Sequence, residues 1–214
     1  MDTPSFLDSH REIQMTSNHL PHWEQDGSSY FITFRLADSL PSLLLSGWRE
    51  EREQWLKWNP PPWNLTQEDE YHRRFSSARE RWLDAQYGAC PLAAAYLRAR
   101  VVKSIWIQQE GVTIWSGIVM PNHVHILCSI SHGMPIRTVV GKWKGRSARQ
   151  ANLALGTAGV FWSKDYFDRL IRNAEHFRNC AGYIRGNPKK AGIDGSKFSL
   201  TESCFVSKLL SDGN

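Results

Sequence analysis

The stretch that most constrains this chain is Met120-Pro-Asn-His-Val-His-Ile-Leu127. Residues two apart on an extended strand point to the same side, so His123 and His125 project together while Val124, Ile126 and Leu127 supply apolar content. Just upstream, Val112-Thr-Ile-Trp-Ser-Gly-Ile-Val119 is rich in β-branched and aromatic residues, which suit a strand. Pro121 and Asn122 lie between the two runs and suit a tight turn. An antiparallel pair follows, with two imidazoles side by side on one face. Two neutral imidazoles so placed are half of a divalent-metal site, lacking a third ligand and open positions for substrate. Such a pair also occurs as plain polar surface, and its spacing alone does not decide between the two.

The remaining composition narrows the function classes. At 214 residues and 24.6 kDa the chain is expected to form a single domain over 1–214, long enough for a proper core. Its N-terminus is polar, with Asp2, Asp8 and Glu12 and no apolar signal segment, and no apolar run approaches membrane-spanning length. Cys90, Cys128, Cys180 and Cys204 are scattered with no CxxC pair, so they read as reduced thiols of a cytoplasmic protein. Positive charge is concentrated: residues 131–192 hold twelve Lys/Arg and three acids, a net +9 within a chain whose total is +5. Basicity confined to the part around and after the histidines suggests a polyanionic partner, with a solvated basic face as the plainer alternative.

Residues 1–28 lack periodicity and are expected to form an irregular arm. Ser29-Tyr-Phe-Ile-Thr-Phe-Arg-Leu36 alternates and gives a first strand. The stretch 42–88 reads as a helical insertion after it. Ser42–Trp58 is helical in composition, Asn59-Pro-Pro-Pro-Trp63 breaks it, and Thr66-Gln-Glu-Asp69 resembles a capping box opening a second helix. The tryptophans here could stack on unpaired bases, but their helical spacing favours core packing, and no chemistry is assigned to the insertion. A helix from about Leu92 precedes the central pair. Within Pro135–Leu155, Ile136, Val139, Val140 and Trp143 form a packing face, while Arg137, Lys142, Lys144, Arg146 and Arg149 are free of nearby acids and could serve phosphates. Gly141 and Gly145 weaken this helix and could allow a close backbone approach to a ligand. Gly159–Ile171 reads as a strand that brings Arg169, with Arg172 just beyond it. Asn173 then caps a helix from about 174 to 186, ended at or near Asn187-Pro188. Residues 194–214 are expected to be a second irregular arm. The order is β-α-β-β-α-β: an α+β fold with a ferredoxin-like antiparallel sheet, helices on one face, and the helical insertion.

On the last helix Tyr183 and Asn187 are four residues apart and can share one face. Each has a plain reading, as a packing tyrosine and a helix-end residue. If the helix packs near the histidines, it offers a phenol as nucleophile and an amide oxygen as third ligand. A divalent ion would polarise the scissile phosphate, and attack by the phenolate would leave a covalent phosphotyrosine, so that rejoining needs no external energy source.

Met120–His125, Phe161-Trp-Ser-Lys-Asp-Tyr-Phe-Asp-Arg-Leu-Ile-Arg172 and Tyr183-Ile-Arg-Gly-Asn-Pro-Lys-Lys-Ala-Gly192, with the strand Tyr30–Leu36 and the Trp143 helix, together resemble the REP-associated tyrosine transposases. These belong to the Y1 (IS200-like) group of HUH single-strand endonucleases. The resemblance spans about 29–36 and 95–193. It implies His123 and His125 as metal ligands, Tyr183 as nucleophile, Asn187 as third ligand, and a ferredoxin-like sheet. It further implies Mg²⁺- or Mn²⁺-dependent nicking and rejoining of single-stranded DNA near hairpins formed by repetitive palindromes, by a monomer with no nucleotide cofactor. Gly186 before Asn187 and Lys189 in place of an aliphatic residue depart from the family pattern, and the 42–88 insertion lies outside it. Two other classes remain: a catalytically silent hairpin-binding module, and a metal hydrolase that uses water in place of Tyr183.

Overall fold

The computed structural model describes residues 3–17, 21–60 and 63–212; Pro61 and Pro62 of the expected helix break lie outside them. The chain runs β1 (Gln14–Ser17), β2 (Pro21–Glu24), β3 (Ser29–Arg35), α1 (Ser42–Trp58), α2 (Leu65–Tyr71), α3 (Ser77–Asp84) and α4 (Ala95–Ile105). It continues through β4 (Val112–Val119), β5 (His123–Ile130), α5 (Ile136–Leu155), β6 (Phe167–Leu170), α6 (Ala174–Lys190), β7 (Ser199–Glu202) and α7 (Cys204–Ser211). The main sheet has the order β6-β3-β5-β4-β7, antiparallel throughout. Its β-α-β-β-α-β core is β3-α4-β4-β5-α5-β6, an α+β architecture.

β5 lies at the centre of the sheet and is buried on both faces along its whole length. Its even residues Val124, Ile126, Cys128 and Ile130 join a core with α4 and α5, centred on the fully buried Trp143. On the opposite face, Leu127 joins Phe31, Ile118 and Met120 beneath Phe177, Ala181 and Ile184 of α6 and Val206 of α7. Helices therefore cover both faces, not one. A strand whose two faces are both apolar or neutral needs a cover on each side, and the second cover comes from α6 and α7.

Both presumed arms are structured. β1 and β2 form an antiparallel pair, and β2 lies beside β6, where His22 Nδ1 meets the buried Asp168 carboxylate. β7 extends the sheet by pairing with β4, and α7 packs against α6. These short elements lack a long apolar period of their own and form because the larger sheet supplies partners. Conversely, the strand expected over 159–171 shortens to Phe167–Leu170, with only an isolated bridge from Trp162 to Leu36 before it.

The insertion is helical, with a capping box two residues earlier than expected: Gln67 N donates to Asn64 Oδ1 (2.9 Å) and Asn64 N to Gln67 Oε1 (3.1 Å). Between α2 and α3 the helix passes through a π-turn at His72–Ser76. Trp55, Tyr71 and Phe75 form a separate small core there, the packing role expected of its aromatic stripe. α6 continues past Asn187 and Pro188 to Lys190 because both residues are buried against the sheet. Ala191 N donates to Asn187 O (2.9 Å) and Ile193 N to Pro188 O (2.8 Å), which closes the helix end.

Two glycines predict opposite outcomes. A Cβ on Gly117 would sit 2.7 Å from Trp106 and 3.0 Å from the His125 carbonyl, whereas one on Gly141 meets nothing within 4 Å. Gly117→Ala should therefore lower the unfolding free energy by about 1–3 kcal/mol, and Gly141→Ala should raise it by about 0.5–1 kcal/mol. Urea denaturation with each variant measures both.

Candidate active site

β5 holds His123 and His125 on the face covered by α6, and both rings are fully enclosed. Their Nε2 atoms face each other at 3.0 Å. Each Nδ1 is taken by an oxygen: His123 by Asn122 Oδ1 at 2.7 Å and His125 by Thr33 Oγ1 at 2.8 Å. Asn122 is itself oriented, because its Nδ2 donates to the carbonyls of Leu83 (3.2 Å) and Tyr87 (3.3 Å). Its oxygen is left to accept from His123 Nδ1–H, which directs that ring's Nε2 lone pair inward. Burial drives the pKa of His123 down to about 3, and that of His125 well below its ordinary value, with the neighbouring His123, Arg79 and Lys190 adding to the effect. Both rings are neutral at pH 7, the state a metal ligand requires.

α6 brings Tyr183 to the same place. Its ring lies 5.4 Å from that of His125 and 5.8 Å from that of Phe31, edge to face with both, and Lys190 Nζ stands 5.3 Å from its centroid. Lys190 is paired in turn with Asp84 at 3.2 Å. Burial pushes the Tyr183 phenol well above its ordinary pKa. Glu80 and Asp84 push in the same direction, while Asn187 and Arg79 pull the other way. Asn187, one turn along α6, is fully buried. Among the described residues, neither its Oδ1 and Nδ2 nor Tyr183 Oη makes a hydrogen bond of ordinary geometry. The described residues contain no cluster of three His, Cys, Asp or Glu, so a third protein ligand beside the histidines would have to be of another type.

Of the candidate DNA-binding residues, Arg169 lies in β6, on the same sheet side as Phe31, with which it pairs, and Arg172 follows that strand. The α5 residues lie on the other face of the sheet from the histidines. Arg137, Lys142 and Arg149 are exposed there, and Arg146 is half-buried with Nε on the Lys142 carbonyl (3.3 Å). Lys144 is engaged structurally, donating to the carbonyls of Ser163 (2.7 Å) and Lys164 (2.8 Å).

Sequence reasoning missed Thr33, Asn122, Arg79, Glu80 and Asp84. Asn122 could have been suspected from its place beside His123. The other four become relevant only because the sheet register and the insertion bring them here.

Residues 94–187 match the profile of the family described as "Transposase IS200 like". No curated protein matches the chain. Among solved structures, a REP-associated tyrosine transposase bound to a REP hairpin is similar over 83% of this chain and 75% of its own, at 18% identity and a TM-score of 0.43. A candidate transposase from Deinococcus radiodurans R1 is similar over 77% of this chain and 93% of its own, at 14% identity and a TM-score of 0.32. No described helix is long and apolar enough to cross a membrane.

The site predicts a pH-dependent stability. Unfolded histidines titrate near 6.5, so the stability due to the buried neutral rings is complete above that pH and is lost as pH falls from about 6.5 toward 3. Thermal unfolding should show a fall in Tm over that window that is shallower in His123→Gln. Lys144→Met should lower the unfolding free energy by about 0.5–1.5 kcal/mol, since a half-buried and an exposed carbonyl lose their charged donor; urea denaturation tests this.

Proposed function

We propose that this chain, IS200-like transposase in sequence over residues 94–187, nicks and rejoins single-stranded DNA beside hairpins, with Tyr183 as nucleophile and a divalent ion held by His123, His125 and Asn187. The observation that carries this reading is the buried meeting of two imidazole Nε2 atoms at 3.0 Å with the ring of Tyr183 against His125.

The residues present fit a divalent ion. At metal–ligand lengths of about 2.1 Å, two nitrogens on adjacent octahedral positions lie about 3.0 Å apart, and the orphaned amide oxygen of Asn187 is a hard donor suited to Mg²⁺ or Mn²⁺. Such an ion would polarise the scissile phosphate and offset the charge that develops on it. His123 and His125 need lose no proton to bind it. Tyr183 must lose one to attack, against a raised pKa; the Lys190 ammonium over its ring and the nearby Arg79 favour the phenolate. Attack by Tyr183 Oη on phosphorus forms the phosphotyrosine bond as the P–O3′ bond breaks, and O3′ takes up a proton as the phenol gives one up. The 5′-phosphotyrosine conserves the energy of the broken ester, so return of a 3′-hydroxyl reverses the step. One chain supplies every named residue, which supports action as a monomer. The hairpin substrate rests on the resemblance of the three sequence motifs to REP-associated transposases.

Incubating the protein with labelled hairpin DNA and Mn²⁺ should yield a protein–DNA adduct on denaturing gels. Tyr183→Phe and His123→Ala should each reduce it below about a thousandth of the parent level. Binding without adduct or nick would instead identify a silent hairpin-binding module, and nicking that survives in Tyr183→Phe would identify water as nucleophile. Asn122→Ala, which frees His123 Nδ1, should weaken Mn²⁺ binding roughly 10–100-fold by calorimetry.

A further inference from the structure

A pocket of about 190 Å³ opens at the outer edge of β6, between that strand, β2 and the insertion. Its volume is below the ~300 Å³ at which sites for drug-sized ligands begin, and its walls are aromatic. Trp23 lies 6.2 Å from Trp63, Trp63 lies 4.6 Å from Tyr71 at an interplanar angle of 36°, and Phe167 forms part of the lining below Arg79. Two polar groups interrupt these walls. Asp168 is 8% exposed; one carboxylate oxygen meets His22 Nδ1, the group also feels its own backbone N–H, and Oδ2 makes no hydrogen bond of ordinary geometry among the described residues. Arg169 Nη2 lies 3.1 Å from His72 Nδ1, with Nε unpartnered among the described residues.

We propose that this pocket seats one unstacked base of a single DNA strand and prefers a base that carries an amino group. The inference rests on the reading of the substrate as single-stranded DNA. Flat aromatic walls suit the face of any base, and a buried carboxylate oxygen with no donor suits the amino groups of cytosine or adenine, which thymine lacks. Arg169 and Arg172 line the same pocket and offset the phosphate charge next to Asp168. The position fits as well: Phe167, Thr33 and His125 are register partners across β6, β3 and β5. The pocket floor thus lies two strand spacings, about 10 Å, from the histidine pair. A base held there belongs to a nucleotide near the scissile phosphate.

The test uses Tyr183→Phe protein with Mg²⁺ and fluorescein-labelled DNA hairpins whose single-stranded flank is oligo-dT, oligo-dC or oligo-dA, read by anisotropy. The decisive pair is dC against dT, which have rings of equal size; dC should bind roughly fivefold tighter or more. An abasic nucleotide moved through the dA flank should weaken binding at one position. Asp168→Asn, with its oxygen kept on His22 and an amide donor turned to the base, should abolish the dC preference, and Trp23→Ala should abolish the abasic effect. Equal affinity for dC and dT with no sensitive abasic position overturns the pocket, as does a dC preference that survives both variants. The abasic scan needs no pocket variant, so a poorly folding Trp23→Ala leaves a decision. Adduct formation by the parent protein without base preference overturns the pocket alone, whereas absence of hairpin binding and adduct overturns the nuclease reading.

Discussion

Two imidazoles buried side by side with their Nε2 atoms 3.0 Å apart are the costly feature that the rest of this structure serves. Enclosed polar nitrogens lose water and need partners. Thr33 and Asn122 supply one partner per ring, and the remaining two nitrogens are left facing each other at 3.0 Å. Holding them there requires a central strand buried on both sides, hence a sheet with helices on both faces. The α4–α5 layer gives rigidity from below, and α6 closes the site from above with Tyr183 and Asn187 on adjacent turns.

The insertion supports the site as well as decorating it. The C-terminal part of α3 offers the Leu83 carbonyl to Asn122, which orients His123. Asp84 holds Lys190 near Tyr183, and Arg79 packs over Phe167 at 4.1 Å. The same residues both raise and lower the phenol pKa, so the insertion tunes the group proposed to attack. Its π-turn places Tyr71 and His72 at the edge of β6, where the aromatic pocket opens.

Positive charge is divided between two regions. Arg169 and Arg172 border the aromatic pocket beside β6, on the way to the histidines. Arg137, Lys142 and Arg149 are exposed on α5, on the other side of the sheet. Lys144 belongs to neither, since two carbonyls hold its ammonium. A linear count of basic residues cannot separate these roles, because backbone acceptors carry no sequence signature.

Much was nonetheless legible in the chain. The alternation around His123 and His125, the β-branched run before it and the Pro-Asn turn specified the central pair, because strand period and turn chemistry are local properties. Tyr183 and Asn187 could be placed on one helix face for the same reason. The four-residue β-pairing of the N-terminal segment, the edge strand Ser199–Glu202 and the end of α6 beyond Pro188 were not legible, since neighbours distant in sequence stabilise them. Which side chains share a face follows from the local pattern of residues. Which faces meet follows from packing: α6 over the histidines, α5 behind them, and the insertion against Asn122 and Tyr183. Periodicity is written in the backbone's short-range geometry, whereas burial and pKa depend on atoms brought together from tens to more than a hundred residues apart.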